Sequence, residues 1–201
     1  PETWRAGLDI HMVPELTVER VINSDPGATD MTAVEAAMDR ARGDILTTSC
    51  GFLSYWQDRL AARTARPFVS SALLALPDLR GRFADNELAI LTFNADVLTS
   101  PAFAPSLGGF AGPVAGLAKE SHLRQVIAND LLALDRQRAE DEIVRLVDGL
   151  CAAGGLRALI LECTNLPPYK QALKARFDIE IFDILTLIDG MKADIVDPAH
   201  L

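Results

Sequence analysis

Two cysteines stand where a thiol can do acid–base work. Cys50 closes the β-like run Ile45-Leu46-Thr47-Thr48-Ser49, and Cys163 follows the run Leu159-Ile160-Leu161-Glu162; a helical pattern comes directly after each. Laid over each other without gaps, 113 positions apart, the two stretches also match Leu53 with Leu166, Leu60 with Leu173, Ala62 with Ala175 and Arg63 with Arg176. A cysteine between the carboxyl end of a strand and a helix N-terminus is readily ionised, because the free N–H groups there favour the anion. Its thiolate is then a good base and its thiol a usable acid near neutral pH. Two such groups in equivalent places predict an opposed pair, one taking a proton from a carbon and the other returning one from the far side.

Removing a proton beside a carboxylate builds enolate-like charge, which needs fixed hydrogen-bond donors. The helix starts offer the backbone N–H groups of Gly51, Phe52, Thr164 and Asn165, the hydroxyls of Ser49 and Thr164, and the Asn165 amide. Thr92 and Asn94 close the apolar strand Leu88–Phe93 and can face the same crevice, although Asn94 equally suits capping the next helix. Ser70 and Ser71 occupy the places of Asp183 and Ile184 in the repeat; they either line the pocket or satisfy their own turn. A lone strand-end cysteine is more often a small buried hydrophobe, but two at matching positions favour chemistry. Cys151 continues the Val144–Val147 helical face and reads as core. His11 reads as a packed or surface residue on a strand, and His122 and His200 as loop and terminal residues. None has a sequence partner for a nucleophilic triad. The glycine-rich run Gly108–Gly112 does not follow a phosphate-loop pattern, and no cysteine lies in a CxxC or Cys/His cluster, so no metal site is expected.

Strand and helix patterns alternate along the chain. Strands are expected at Leu8–Val13, at both cysteine runs, and at Phe68–Val69, Leu88–Phe93, Val114–Leu117 and Ile179–Phe182. Helices are expected from Thr29 or Asp30 to Arg42, from Gly51 to Arg63, and from Ser121 to Ala153 with a break near Asp135–Asp141. Another is opened by Pro167-Pro168, and a last one covers Leu185–Met191. This alternation with near-continuous apolar strands predicts an α/β protein whose parallel sheets are covered on both faces, with ligands at the carboxyl ends of the strands. Subtracting the repeat offset from Leu88–Phe93 lands before residue 1. The repeat therefore predicts an opening strand roughly 20–30 residues upstream, a strand plus a loop.

The 201 residues, 49% of them apolar, suffice for one large domain or two small lobes. The net charge of −9 is spread along the chain without a basic stripe, which argues against nucleic acid and anionic membrane surfaces as partners. No apolar run reaches the length of a membrane span, and Pro1-Glu2-Thr3-Trp4 does not resemble a signal peptide. Three cysteines, an odd number, argue against a disulfide framework; free thiols without an export signal point to the cytoplasm.

At Cys50, at Ile90-Leu91-Thr92 and at Leu161-Glu162-Cys163-Thr164-Asn165-Leu166-Pro167-Pro168-Tyr169, the chain resembles the aspartate/glutamate racemase superfamily, which includes hydantoin racemases, maleate isomerases and arylmalonate decarboxylases. The resemblance implies two pseudo-symmetric doubly wound lobes with the active site in the cleft between them. Residues 1–87 plus 180–201 would form the first lobe, with the C-terminal segment crossing back to it, and 88–179 the second. It also implies cofactor-independent proton transfer at the α-carbon of a small carboxylate, with Cys50 and Cys163 as the acid/base pair. Ser49, Thr92, Thr164 and Asn165 match positions that commonly hold the carboxylate, and homodimers are an expectation from the family. The sequence departs from the amino-acid racemases in having Ser49-Cys50-Gly51-Phe52-Leu53 instead of Cys-Asn-Thr at the first cysteine. It also has Asn165 where glutamate racemases place a histidine. Phe52 and the apolar Ala72–Leu76 segment suggest a less polar substrate end than glutamate. Racemisation or epimerisation is the leading expectation. Isomerisation or decarboxylation within the superfamily and non-catalytic binding of a small molecule are the alternatives.

Overall fold

Apolar runs too continuous to have a solvent face make the centre of the molecule. The computed structural model describes residues 3–201. Its strands are β1 (Leu46–Thr47), β2 (Phe68–Val69), β3 (Leu88–Thr92), β4 (Val114–Gly116), β5 (Ala158–Leu161) and β6 (Glu180–Asp183). All ladders are parallel: β1 pairs with β2, and a second sheet runs in the order β4-β3-β5-β6. Every residue of β3 and β5 is buried, as parallel strands covered on both faces require. Each such Leu or Ile contributes about 1.5–3 kcal/mol by leaving water.

The covering helices follow from their apolar stripes. Arg136–Ala152 buries Ala139, Ile143 and Val147, four apart on one face, and Asp135 caps it by accepting from the Arg138 N–H at 3.0 Å. It packs against the shorter helix Lys170–Arg176. The break expected in the 121–153 stretch lies at 129–135, just before Asp135–Asp141. There Asp135 N–H donates to His122 Nε2 at 2.8 Å, and Glu142 accepts from the His122 N–H at 2.6 Å.

The fold is the expected α/β class with parallel sheets, but three local expectations change. Leu8–Val13 is not a strand. Its alternating apolar residues Leu8, Ile10 and Met12 are 48%, 72% and 80% exposed, while Asp9 accepts from the Arg42 N–H at 2.8 Å and lies 3.2 Å from His11 Nε2. The polar side of the pattern is thus the anchored one. The helix after Cys50 begins as a 3-10 turn, Gly51–Trp56, and becomes α-helical only at Gln57–Ala61. Finally, Glu180–Asp183 is an edge strand of the larger sheet, so the chain leaves that sheet after Asp183 and not at residue 180. The helix Ile184–Met191 then packs on Ala72–Ala75, which follows β2, and Lys192 pairs with Asp44 at 2.7 Å.

The repeat is visible in three dimensions. β1 and β2 stand to each other as β5 and β6 do, each second strand leading into a capped turn. Ser71 accepts from the Leu73 N–H at 3.3 Å, and Asp183 accepts from the Thr186 N–H at 2.8 Å. β5 carries β3 on its other side, whereas β1 pairs with no second strand among the described residues.

Candidate active site

Each cysteine leaves its strand where the backbone turns into a short 3-10 helix, and the two exits face one another. Cys50 and Cys163 line a single cavity of about 160 Å³, together with Ser49, Gly51, Phe52, Thr164 and Asn165. The Thr164 hydroxyl donates to the Ser49 carbonyl, tying the two exits together. The Asn165 amide lies 3.9 Å from Cys163 Sγ. Phe52 is buried and meets Phe103 edge-to-face at 5.4 Å, which packs the first helix start against the segment after β3. Seven of the nine residues expected at the site therefore border one space.

Thr92 and Asn94 are placed differently. Thr92 is fully buried behind the cavity and donates its hydroxyl to Glu162 Oε2 at 2.6 Å. Asn94 caps Ala95–Leu98, accepting from the Val97 N–H at 3.4 Å, so its side chain serves the second of the two roles open to it. Ser70 and Ser71 are likewise committed to local structure: Ser70 donates to Gln57 Oε1 at 2.6 Å and Ser71 caps its turn. Cys151 packs half-buried on the core.

The thiols are not the readily ionised groups that their position suggests. Burial pushes Cys50 up to about 12, with the Glu162 charge adding to it and the N–H groups of Phe52 and Leu53 only partly opposing. Burial likewise pushes Cys163 to about 12, again with Glu162 adding and Asn165 opposing. Charge on Cys163 also acts on Cys50, so the two titrate as neighbours. One turn of 3-10 helix does not outweigh desolvation and a nearby carboxylate.

Glu162 is the residue that sequence reasoning passed over. It is fully buried, and burial raises its carboxyl to about 7 against the opposing Thr92 hydrogen bond. The available signal was an ionisable side chain directly after the apolar run Ala158–Leu161, where such residues are rarely buried without a task. The same signal marks Lys170 and Asp183, a buried pair 3.3 Å apart whose Asp183 also binds Thr186.

The cavity lining carries Val18, Val21, Ile127, Phe52 and Phe93 but no lysine, arginine or histidine. An anionic substrate group there must be held by N–H and hydroxyl donors, while aromatic faces and the Glu162 charge favour a cation. A second cleft of about 400 Å³ opens from Ser49 and Cys50 along β1, bounded by Gly7–Met12 and the helix Thr32–Arg40. A third, of about 290 Å³ between residues 117–123 and 139–146, contains neither cysteine. No helix among the described residues is long and apolar enough to cross a membrane.

No protein-family model matches the chain. Among curated proteins, it is 27% identical over 164 residues to dimethylsulfoniopropionate lyase 3 of Emiliania huxleyi, covering 76% of this chain and 42% of that protein. It is 32% identical over 187 residues to dimethylsulfoniopropionate lyase 5 of the same organism, covering 85% and 36%. The chain thus spans less than half the length of these relatives. Among solved structures it is similar to a glutamate racemase isoform from Bacillus anthracis, with a TM-score of 0.54 and 15% identity over 90% of this chain and 68% of that one. The Picrophilus torridus aspartate racemase gives a TM-score of 0.54 and 14% identity over 85% and 72%.

Proposed function

On the aspartate/glutamate racemase fold, with two thiols lining one cavity, we propose that this chain is the proton-transfer portion of an enzyme that acts on the carbon beside a carboxylate. The observation that carries the reading is the shared cavity of Cys50 and Cys163. One thiolate removes the α-proton. Donors at the strand exits hold the carboxylate as charge builds on it. The sequence relatives favour elimination as the fate of that charge: their names specify a lyase acting on dimethylsulfoniopropionate, a carboxylate with a sulfonium group on the β-carbon. Loss of the α-proton then lets the C–S bond break, its electron pair leaving with sulfur as dimethyl sulfide while the former C–H pair forms the acrylate double bond. Phe52, Phe93 and the aliphatic lining suit the methyl-bearing sulfonium, and the absence of cationic side chains from the lining avoids repelling it.

The second reading is racemisation or epimerisation. Elimination needs one base, whereas the paired thiols provide an acid on the opposite side, which inversion of a carbon requires. Assays in D2O separate the two. Dimethyl sulfide released from dimethylsulfoniopropionate supports elimination. Deuterium entering the α-carbon of an otherwise unchanged chiral carboxylate supports racemisation. Racemisation should be lost in both Cys50→Ala and Cys163→Ala, and elimination in the variant that lacks the base thiol; full racemisation in either variant, or full elimination in both, overturns the reading.

A further inference from the structure

Glu162 has a geometry that packing alone does not explain. Its carboxyl is fully buried, and one oxygen takes the Thr92 hydroxyl at 2.6 Å. The other, Oε1, has no hydrogen-bond partner among the described residues. That oxygen lies against Gly51, the residue after Cys50, where a methyl group would overlap both the carboxyl and the Glu162 carbonyl. The carboxyl therefore reaches across from the Cys163 exit to the Cys50 exit, and its charge acts on both thiols. An unpaired buried oxygen is destabilising, and a proton accepted there relieves the penalty.

Resting on the two-thiol reading, we propose that Glu162 is the proton-holding partner of Cys50 and Cys163, taking up the proton that the base thiol gives up and returning it when turnover ends. In the first step the S–H bond breaks, its electron pair stays on sulfur, and an O–H bond forms at the free carboxyl oxygen. The site keeps a single negative charge, now on sulfur, next to the substrate. After an inverting turnover the other sulfur carries that charge. Glu162 then returns its proton to it, and the carboxylate is ready to deprotonate the first thiol again. After an elimination the base thiol keeps the substrate's proton, so Glu162 releases its own proton to solvent as the products leave. No oxidant, metal or further reactant is needed.

The titratable groups that act on this arrangement are few. Cys50 faces Glu162 from the loop after β1, and Cys163 adjoins it in sequence. From β3 the neighbour is Thr92, which does not titrate in the working range. Asp183, beside Leu161 in the β5–β6 ladder, is occupied by Lys170 and Thr186. The reach of Glu162 from one strand exit to the other is thus toward the thiols and not toward another ion pair.

Glu162→Gln keeps the side-chain length and an oxygen for Thr92, so it removes the proton site with little change of shape. Two measurements on the intact chain test the proposal. The first, independent of any substrate, follows iodoacetamide alkylation of Cys50 and Cys163 against pH by peptide mass. The midpoint should fall by ~1 unit or more in Glu162→Gln, because a negative charge beside the thiols is gone. An unchanged midpoint overturns the proposal. The second follows dimethyl sulfide release or α-deuterium exchange against pH. The wild-type rate should level off above about pH 7, where the carboxyl is already ionised, whereas in Glu162→Gln it should go on rising with pH to the lowered thiol midpoint, with Glu162→Asp restoring the plateau. A wild-type pH profile in Glu162→Gln overturns it. A wild-type chain without either activity counts against the two-thiol reading, and the alkylation midpoint then decides the role of Glu162 by itself.

Discussion

Among the described residues, four strands stand behind Cys163 and two behind Cys50. Cys163 is buried and Cys50 half-buried. The residue before the thiol differs as well: Glu162 is fully buried in the second unit, and its repeat counterpart Ser49 is exposed in the first. The turns after β2 and β6 follow the same rule, since Ser71 caps one as a neutral hydroxyl and Asp183 caps the other as half of a buried ion pair. One path of the chain is thus built twice, with the ionic version in the unit that has more sheet around it. A larger low-dielectric surround makes buried charges stronger in their effects on one another and costlier to leave unpaired. The difference teaches where the control of protonation sits: the second unit holds the charges, and the first contributes a thiol and the small residue that lets the carboxyl reach it.

The strongest way to break this comparison is through the thiols. Cys50→Ala and Cys163→Ala should each reduce inversion of the α-carbon by about 10³-fold, and the one lacking the base thiol should reduce elimination as much, measured as product formation under saturating substrate. If only Cys163 matters for inversion, the first unit is scaffold and the pairing fails. The caps come next. Asp183→Ala leaves the Lys170 ammonium buried with only the Thr186 hydroxyl as partner and should cost about 3–5 kcal/mol in denaturant unfolding. The matching change Ser71→Ala should cost about 1 kcal/mol. Equal losses would show that the two turns are energetically alike despite their chemistry.

Glu162 sharpens the comparison through pH. The folded state holds its proton up to about pH 7, whereas an unperturbed glutamate releases it near 4.5. Between these values the native state binds more protons than the unfolded chain, so this residue's contribution to stability falls as pH rises through that window. Glu162→Gln should therefore be more stable than the wild type at pH 8, by up to about 3 kcal/mol, and nearly equal to it at pH 4. The counterpart Ser49→Ala, at an exposed position, should change stability by less than about 0.5 kcal/mol at either pH. Thermal melts at the two pH values distinguish these outcomes.

The sheet strands and the shared cavity were legible because their signals are local: uniform apolar runs at β3 and β5, and a cysteine at each strand exit of a repeat. Four features were not legible, each for its own reason. Leu8–Val13 has strand periodicity, but Asp9 and not the apolar residues supplies its anchor, which only the position of Arg42 reveals. The thiol pKa values depend on enclosure by residues far apart in sequence, so the helix-start argument had the right partial charge and the wrong winner. The meeting of Glu162 with Thr92 spans 70 positions, and its approach to Gly51 joins the two copies of the repeat. Neither contact is written in the residues next to Glu162. The pattern of Ile179–Phe182 marks a strand, but ladder order is a tertiary property, and its place at the edge of the larger sheet is not written in those residues.

The outer side of β1 has a further consequence, for how the protein behaves in the tube. The Leu46 N–H is taken by the Pro67 carbonyl on the β2 side, so Thr47 is left to present its backbone groups on a side with no strand beside it among the described residues, next to exposed Leu8 and Met12. An unfilled strand position flanked by sticky side chains invites a neighbouring molecule to fill it. Concentrated samples should therefore lose monomer to strand-to-strand association. Light scattering across a dilution series checks it.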